Sequence, residues 1–393
     1  MTSEQLPVPH RGFPHFEFEA RTARAQKMMA DSGLAAMLLL TEPEVRYFTG
    51  FLTPFWQSPT RPWFVVVPLT GKPVAVIPQI GAECMARTWI DDIRTWSSPC
   101  PEDEGVSLLS EALHEMAGGK GAVGLPMGPE TSLRMSLNDF YKLSEMISPL
   151  QFRDASLVIQ ALRMYKSEAE IDKIRYICGV LSDVFEDLPT HLETGMREID
   201  IFRTFKTRAM EAGADDVAYV VGGLGEGGYG DIISPPSERL SMQGDVLILD
   251  TGATFDGYFC DFDRNYAFGN TADAAKRAHE VVYRATEAGL EIARPGNTCA
   301  DLFHAMQRVM DAGGAMGNDV GRLGHGLGMQ LTEWPSNTPT DMTVLKPGMV
   351  ITLEPGMTFA EGKVMVHEEN IVIRDGLPEL LSRRAPAEMP VIG

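Results

Sequence analysis

Apolar residues recur at helical spacing over residues 17–33, and three short apolar runs follow, AAMLLL, PWFVVVPL and PVAVIP, each bounded by turn-forming residues. A helical period marks an amphipathic helix, and short apolar runs between Gly, Pro and Ser mark buried strands, so this stretch predicts an α/β domain. Helical patterns near 105–117 and 136–146 would cover its sheet. Between about 150 and 166 the chain runs through QFRDASLVIQALRMYKS into a different pattern without a long flexible linker. Ser167, with Glu170 three residues on, has the spacing of a reciprocal helix cap and opens a helix through LSDVFEDL. Further helices are predicted at 197–212, 272–293 and 298–312, and most of the remainder reads as strand.

Two of the strand pairs end in carboxylates. In GDVLILDTGATFDGYFCDFDRNYAF the Asp256-Gly257 turn sets Asp250 opposite Asp263 and diagonal to Asp261, so all three share one face. In GMVITLEPGMTFAEGKVMVHEENIVI a turn at Glu361-Gly362 places Glu354 opposite Glu369. Asp250 closes the apolar run VLIL and Glu354 follows VITL, where a carboxylate is at least partly buried and expensive without a partner. His325 stands between Gly324 and Gly326, which permit close backbone approach. Asp250, Asp261, Glu354 and Glu369 carry four negative charges beside a neutral imidazole, so two divalent ions, of Mn, Fe, Co or Zn, would balance the set. Two such ions roughly 3.5 to 4 Å apart lower the pKa of a bridging water and polarise a substrate oxygen, which is hydrolase chemistry.

The order Asp, Asp, His, Glu, Glu, in the contexts LDTGATFDGYFCDFDR, GHGLG, LEPGM and HEEN, resembles the pita-bread metallopeptidase family of methionine aminopeptidase, aminopeptidase P, prolidase and creatinase. RTARAQKMMADSGLAAMLLLTEPEVRYFTGF is similar to the start of the creatinase-type N-terminal domain, and LRMYKSEAEIDKIR to the opening of the catalytic domain. The resemblance implies an α/β creatinase-like N-terminal domain over 1–158 and an α+β pita-bread catalytic domain over 159–393, with helices outside a curved antiparallel sheet. It also implies metals bridged by Asp261 and Glu369, with Asp250 on one ion and His325 and Glu354 on the other. A hydroxide between them attacks a carbonyl, and Glu354 accepts the proton. The N-terminal domain commonly mediates dimerisation in this family and lends residues to the neighbour's cleft. Trp56, Arg61 and Trp63 in FLTPFWQSPTRPWF are the candidates, with ordinary packing the alternative for both tryptophans.

Several positions depart from the family pattern. Thr332 stands where peptidases carry a substrate-binding histidine, ahead of Glu333 and Trp334, and Ile233 takes the place of another histidine. Neither can act as acid or base near neutral pH. His367 occupies the place of an arginine two residues before the last glutamate, and with Glu333 it joins Glu354 as a catalytic candidate. Three roles are open to Asp263: a further ligand, a protonated carboxyl, or a partner of Arg264. Tyr229, Thr332, Trp334, Arg264 and Trp56 are the candidate substrate contacts. The leading expectation is hydrolysis of a small amide, such as an Xaa-Pro dipeptide or a related N-substituted compound. A lyase is the alternative, since this fold also hosts a dimethylsulfoniopropionate lyase with an additional aspartate. A binding protein that has lost catalysis is opposed by the intact ligand set.

Composition narrows the partners. A net charge of −20 over 393 residues opposes nucleic-acid and anionic-membrane binding. No long apolar segment or signal core appears, which leads us to expect a cytoplasmic enzyme. The five cysteines lack paired spacing, so neither a disulfide framework nor a structural zinc site is expected. Gly223, Gly225 and Gly228 satisfy GxGxxG, but Pro235 and Pro236 follow, and no dinucleotide-binding helix can open there. The glycine-rich segment with Tyr229 reads instead as a loop rimming the metal cleft.

Overall fold

The computed structural model describes residues 7–317 and 320–393. Contacts divide the chain into two units, His10–Arg163 and, with the residues up to Pro9, Met164–Gly393. The boundary expected at 158/159 falls inside a helix, Ser156–Met164, and the division comes at its end.

The first unit carries one six-stranded sheet. Its strands are β1 (Leu34–Leu39), β2 (Phe64–Pro68), β3 (Val74–Pro78), β4 (Ile93–Trp96), β5 (Ala122–Leu125) and β6 (Gln151–Asp154), in the order β4-β3-β2-β1-β5-β6. The three apolar runs read from sequence form β1, β2 and β3, with every residue of β2 and β3 buried. Helices α1 (His15–Asp31), α2 (Glu42–Thr49), α3 (Ala82–Met85), α4 (Val106–Met116) and α5 (Leu137–Met146) accompany the sheet, and α6 (Ser156–Met164) ends the unit. Apolar residues of α4 and α5, among them Leu109, Leu113 and Leu143, share a core with Leu38, Val66 and Val76 of the sheet.

In the second unit α7 (Glu168–Asp187) starts at the predicted cap, where Ser167 Oγ accepts from the Glu170 amide and the Glu170 side chain accepts from the Ser167 amide. Helices α8 (Glu198–Ala212), α9 (Asp273–Ile292) and α10 (Cys299–Ala312) match the remaining helical periods to within a residue or so. One sheet contains β7 (Asp216–Glu226), β8 (Asp245–Phe255), β9 (Tyr258–Phe259), β10 (Phe262–Phe268) and, at the other end of the chain, β18 (Val391–Ile392). A second runs β12-β11-β13-β16-β17, from β11 (His325–Gly326), β12 (Glu333–Ser336), β13 (Val350–Leu353), β16 (Glu369–Val372) and β17 (Glu379–Leu380). Between β13 and β16 the chain forms the hairpin β14 (Gly356–Ala360) and β15 (Lys363–Val366). Residues of α9 and α10, including Val282, Ala285, Leu302 and Met306, pack with Ile248, Ile351, Leu353 and Ile371 of the two sheets in one core. Among the described residues no helix is long and apolar enough to cross a membrane. All five cysteines are free.

The two hairpins fix the registers that matter for chemistry. In the first, Asp256 and Gly257 both take positive φ, 45° and 68°, as a tight hairpin turn requires. The pairing of Asp263 with Asp250 follows as expected. The second hairpin departs from its expected register. Thr358 pairs with Val364 but Ala360 with Lys363, so one residue is bulged out of β14. A single bulge moves the register by one, and because side chains alternate, it exchanges the faces of everything beyond it. Leu353, not Glu354, therefore lies across from Glu369. Glu354 falls across from Glu368.

The first hairpin is held from outside by a buried ion pair. Lys173 Nζ of α7 lies 2.7 Å from Asp256 Oδ2 in the turn, with the two side chains 2% and 7% exposed. Removing the cation alone would take the charged partner at 2.7 Å from a buried carboxylate. Lys173→Met is expected to lower the unfolding free energy by about 3 kcal/mol or more. The double variant with Asp256→Asn should lose clearly less, and chemical denaturation of both proteins measures the difference.

Candidate metal centre

Four of the five donors come from strand ends, and Asp250 comes from the middle of a strand. Asp250 sits in β8, Asp261 leads into β10, His325 opens β11, Glu354 follows β13 and Glu368 precedes β16. Two groups of donor atoms lie within 4.8 Å of one another, Asp261 with His325 and Glu354, and Asp250 with Asp261 and Glu368. Asp261 belongs to both, so it is the shared carboxylate.

The glycines flanking His325 are required by contact. A Cβ on Gly324, whose φ is +124°, would stand 2.2 Å from the Thr352 carbonyl oxygen, and one on Gly326 would stand 2.4 Å from that of Trp334. His325 Nδ1 lies 2.9 Å from the Gly326 carbonyl oxygen, which can only accept, so Nδ1 carries the proton. Nε2 is thereby left facing Glu354 Oε1 at 3.0 Å and Asp261 Oδ2 at 3.3 Å. Thr352 Oγ1 accepts from the His325 amide at 2.9 Å and bonds Glu354 Oε1, tying the two donors together.

The electrostatics follow from crowding. Asp250 and Glu368 have pKa values pushed well above the usual carboxylate range by burial and by the surrounding carboxylates. Asp261 is pushed up to about 6, burial outweighing the contact with His325. Burial opposes charge on His325, yet Glu354 and Asp261 lift its pKa to about 10. Glu354 stays below its ordinary value, because His325 and Thr352 overcome its burial. Asp250 Oδ1 is buried with no hydrogen-bond partner.

The structure corrects the expected ligand set at one position. Glu369 is wholly buried, but its carboxylate faces away from Glu354. Oε1 accepts from the Ala385 amide at 2.9 Å and from Arg384 at 3.2 Å, while Oε2 takes Arg264 at 3.1 Å and the Ser382 hydroxyl. Glu368 occupies the position expected of Glu369, and the family's arginine position two residues before it is Val366 rather than His367. A signal for this register was present in the sequence. Thr352 and Asn370 interrupt the two apolar strands, and pairing these polar residues, as the structure does, sets Glu354 across from Glu368.

Other expected site residues also lie elsewhere. His367 is on the reverse face, where its Nδ1 lies 3.1 Å from Thr286 Oγ1 and its Nε2 accepts from Arg384 at 3.0 Å. Burial and the neighbouring arginines hold it neutral, with a pKa well below the usual histidine value. Glu333 pairs through Oε2 with buried Lys166 at 3.0 Å and accepts from the Gln330 amide through Oε1. Its carboxylate braces the chain beside Thr332. Arg264 donates to Glu369 and to the carbonyls of Asp263, Glu368 and Arg383, again behind the metal face. Tyr229 is 2% exposed; its hydroxyl donates to Asn265 Oδ1 at 2.7 Å and accepts from the Val366 amide. It is an internal strut, and Gly223 and Gly225 belong to β7 rather than to a loop.

Asp263 accepts the Glu368 amide through Oδ1 at 2.8 Å and so orients a ligand strand. Burial raises its pKa well above the carboxylate range. Trp334 is half-buried against the core, and Ile233 is 74% exposed. In the first unit Trp63 is a core residue packed against Phe51, while Trp56 is half-buried under the Arg134 guanidinium. Arg61 lies in the same turn, with its Cζ 6.0 Å from the Phe55 ring centroid.

Besides Glu368, two residues at the site escaped the sequence reading. Tyr219 of β7 lies near Asp250, and its phenol is held neutral by burial and by that carboxylate. Arg322 donates to Thr332 Oγ1 at 3.4 Å and its charge acts on both Asp261 and Glu354. Arg322 lies only three residues before His325, but nothing in its local pattern shows that the chain folds its guanidinium back toward the acidic cluster.

Comparison with known proteins accords with this geometry. Residues 172–375, just over half of the chain, match Metallopeptidase family M24, and residues 21–165 match the Creatinase/Prolidase N-terminal domain. A protein of Mycobacterium tuberculosis named "Probable dipeptidase PepE" is 27% identical over 375 residues, covering 92% of this chain and 93% of its own. The Xaa-Pro dipeptidase of Pyrococcus furiosus is 27% identical over 257 residues, 65% of this chain and 73% of its own. Among solved structures, dipeptidase PepE from Mycobacterium ulcerans has a TM-score of 0.84 at 24% identity, covering 97% of this chain and 99% of that one. Prolidase from Thermococcus sibiricus has a TM-score of 0.85 at 23% identity, covering 95% and 99%. The chain therefore belongs to metallopeptidase family M24, a metal-dependent hydrolase with a creatinase/prolidase-type N-terminal domain.

Proposed function

We propose that the protein is a dinuclear-metal hydrolase of a small amide, most simply an Xaa-Pro dipeptide. The observation that carries this reading is the convergence of Asp250, Asp261, Glu354, Glu368 and His325 on one place, with Asp261 shared and Asp250 Oδ1 buried and unpartnered. Four carboxylates with one imidazole lone pair fit two divalent cations, and oxygen-rich ligation with one nitrogen suits Mn, Fe, Co or Zn. When bound, the ions would lower the pKa of a water between them and polarise the scissile carbonyl.

The chain's own residues then do the following. Glu354, kept ionised by His325 and Thr352, takes the proton of the attacking water on its carboxylate and returns it to the departing amide nitrogen. Tyr219 keeps a neutral phenol near Asp250. Arg322, at Thr332, offers a cation to the terminal carboxylate of a dipeptide where relatives of the fold present an imidazole. The lyase alternative rested on Asp263, Thr332 and Ile233; of these, Asp263 accepts the Glu368 amide through Oδ1, which weakens its case as an additional ligand.

Release of proline from Gly-Pro and Ala-Pro with added Mn tests the reaction, with dimethyl sulfide release from dimethylsulfoniopropionate as the lyase arm. Proline release is expected, and Arg322→Met should raise KM for the dipeptide by about tenfold or more with little change for Gly-prolinamide. Dimethyl sulfide without proline would refute the proposal.

The register makes a separate prediction. Glu368→Gln should lose bound metal, whereas Glu369→Gln should retain it and instead lower stability by about 3 kcal/mol, because buried Arg264 is left without its carboxylate. Elemental analysis and calorimetry of the two variants distinguish them.

The metal-free protein should also show an inverted pH dependence of stability. Carboxylates whose pKa is raised on folding bind more protons in the folded state than in the unfolded one, so stability falls as pH rises. The loss begins above the ordinary aspartate value of 3.8, passes about 6 for Asp261, and continues toward about 10 through His325, which is also raised from 6.5. Melting temperature should therefore fall from mildly acidic to alkaline pH without metal, and added Mn should raise it most at the alkaline end.

A further inference from the structure

On the reverse face of the catalytic sheet, a cavity of about 170 Å³ lies between α7 and α9, floored by Asp263–Tyr266 of β10 and covered by the chain near Pro386 and Pro390. Phe185, Pro189, Tyr266, Pro386 and Pro390 give it apolar walls. His279 of α9 lines it and is 3% exposed, yet its Nδ1 has no hydrogen-bond partner.

The unpartnered atom has a definite character. His279 Nε2 lies 3.4 Å from the Pro386 carbonyl oxygen, which can only accept, so Nε2 bears the proton. Burial lowers the pKa of this histidine and keeps it neutral, leaving Nδ1 as a lone pair that calls for a donor. An anionic ligand is disfavoured, because the guanidiniums at the cavity are already engaged. Arg264 holds Glu369, Arg383 holds Asp183 and Glu186, and Arg384 holds Glu287, Glu369 and His367. The volume suits a single ring, since an apolar cavity of about 150 Å³ accommodates benzene.

We infer that this cavity is a binding site for a neutral molecule of the phenol class, its ring against Phe185, Tyr266 and the prolines and its hydroxyl donating to His279 Nδ1. The site is separate from the metal donors, although Asp263 in its floor also holds the Glu368 amide. None of the ligand's contacts involves the metal face.

The test is titration of the full-length protein, labelled with ¹⁵N-histidine, with phenol and with toluene, which has a similar size and no donor. Phenol is expected to bind saturably, to move the His279 Nδ1 resonance as its lone pair accepts the hydroxyl, and to bind about tenfold more tightly than toluene. His279→Leu, which keeps an apolar side chain of similar bulk, should weaken phenol binding by about tenfold and leave toluene binding within about twofold. Equal affinity for phenol and toluene, or unchanged phenol affinity in a folded His279→Leu protein, would overturn the assignment. Should that variant not fold, the wild-type resonance decides alone. A His279 Nδ1 signal unmoved up to about 10 mM phenol, an affinity weaker than about 3 kcal/mol of binding, also overturns it.

Discussion

Repulsion among buried carboxylates is the constraint around which the catalytic unit is built. Asp250, Asp261, Glu354 and Glu368 are drawn together by four different strands, and each would prefer water to the company of the others. The fold tolerates them because the strands are held from outside. Lys173 pins the Asp256 turn, Thr352 ties His325 to Glu354, and Asp263 grips the amide of Glu368. An acidic cluster preorganised in this way gains most from divalent cations, which turn its unfavourable charge into ligation.

The segment His367–Glu369 separates two chemistries by alternation alone. Glu368 joins the metal donors, while His367 and Glu369 face the opposite side and a set of arginines. Those arginines neutralise Glu369 and press on His367, so these two residues are held as structural partners behind the donors. The bulge in β14 decides which glutamate has which fate. A one-residue irregularity in the β14–β15 hairpin thus selects which glutamate joins the candidate donors.

By the sequence resemblance, Thr332 and Ile233 stand where the family pattern has two imidazoles, and Ile233 is exposed rather than aimed at the donors. Arg322 sets a fixed cation beside Thr332. In the proposed reaction such a charge would bind and orient a carboxylate but could not shuttle a proton at neutral pH, which would leave that task to Glu354.

The sequence by itself determined the two-domain architecture, the helices, the Ser167–Glu170 cap and the Asp250–Asp263 register, and it named four of the five side chains that the structure groups as candidate donors. All of these depend on local periodicity or on a turn whose residues demand one geometry, as Asp256-Gly257 does. Tertiary structure decided between Glu368 and Glu369, because in the sequence the Glu361-Gly362 turn favours Glu369 and the pairing of Thr352 with Asn370 favours Glu368, and the bulge in β14 reconciles the two. It likewise decided that His367, Arg264 and Tyr229 face inward, and that Tyr219 and Arg322 reach the site. Which face a residue serves depends on what packs against it, and partners distant in sequence, such as Arg384 for His367 and Asn265 for Tyr229, supply that information only once the chain has closed on itself.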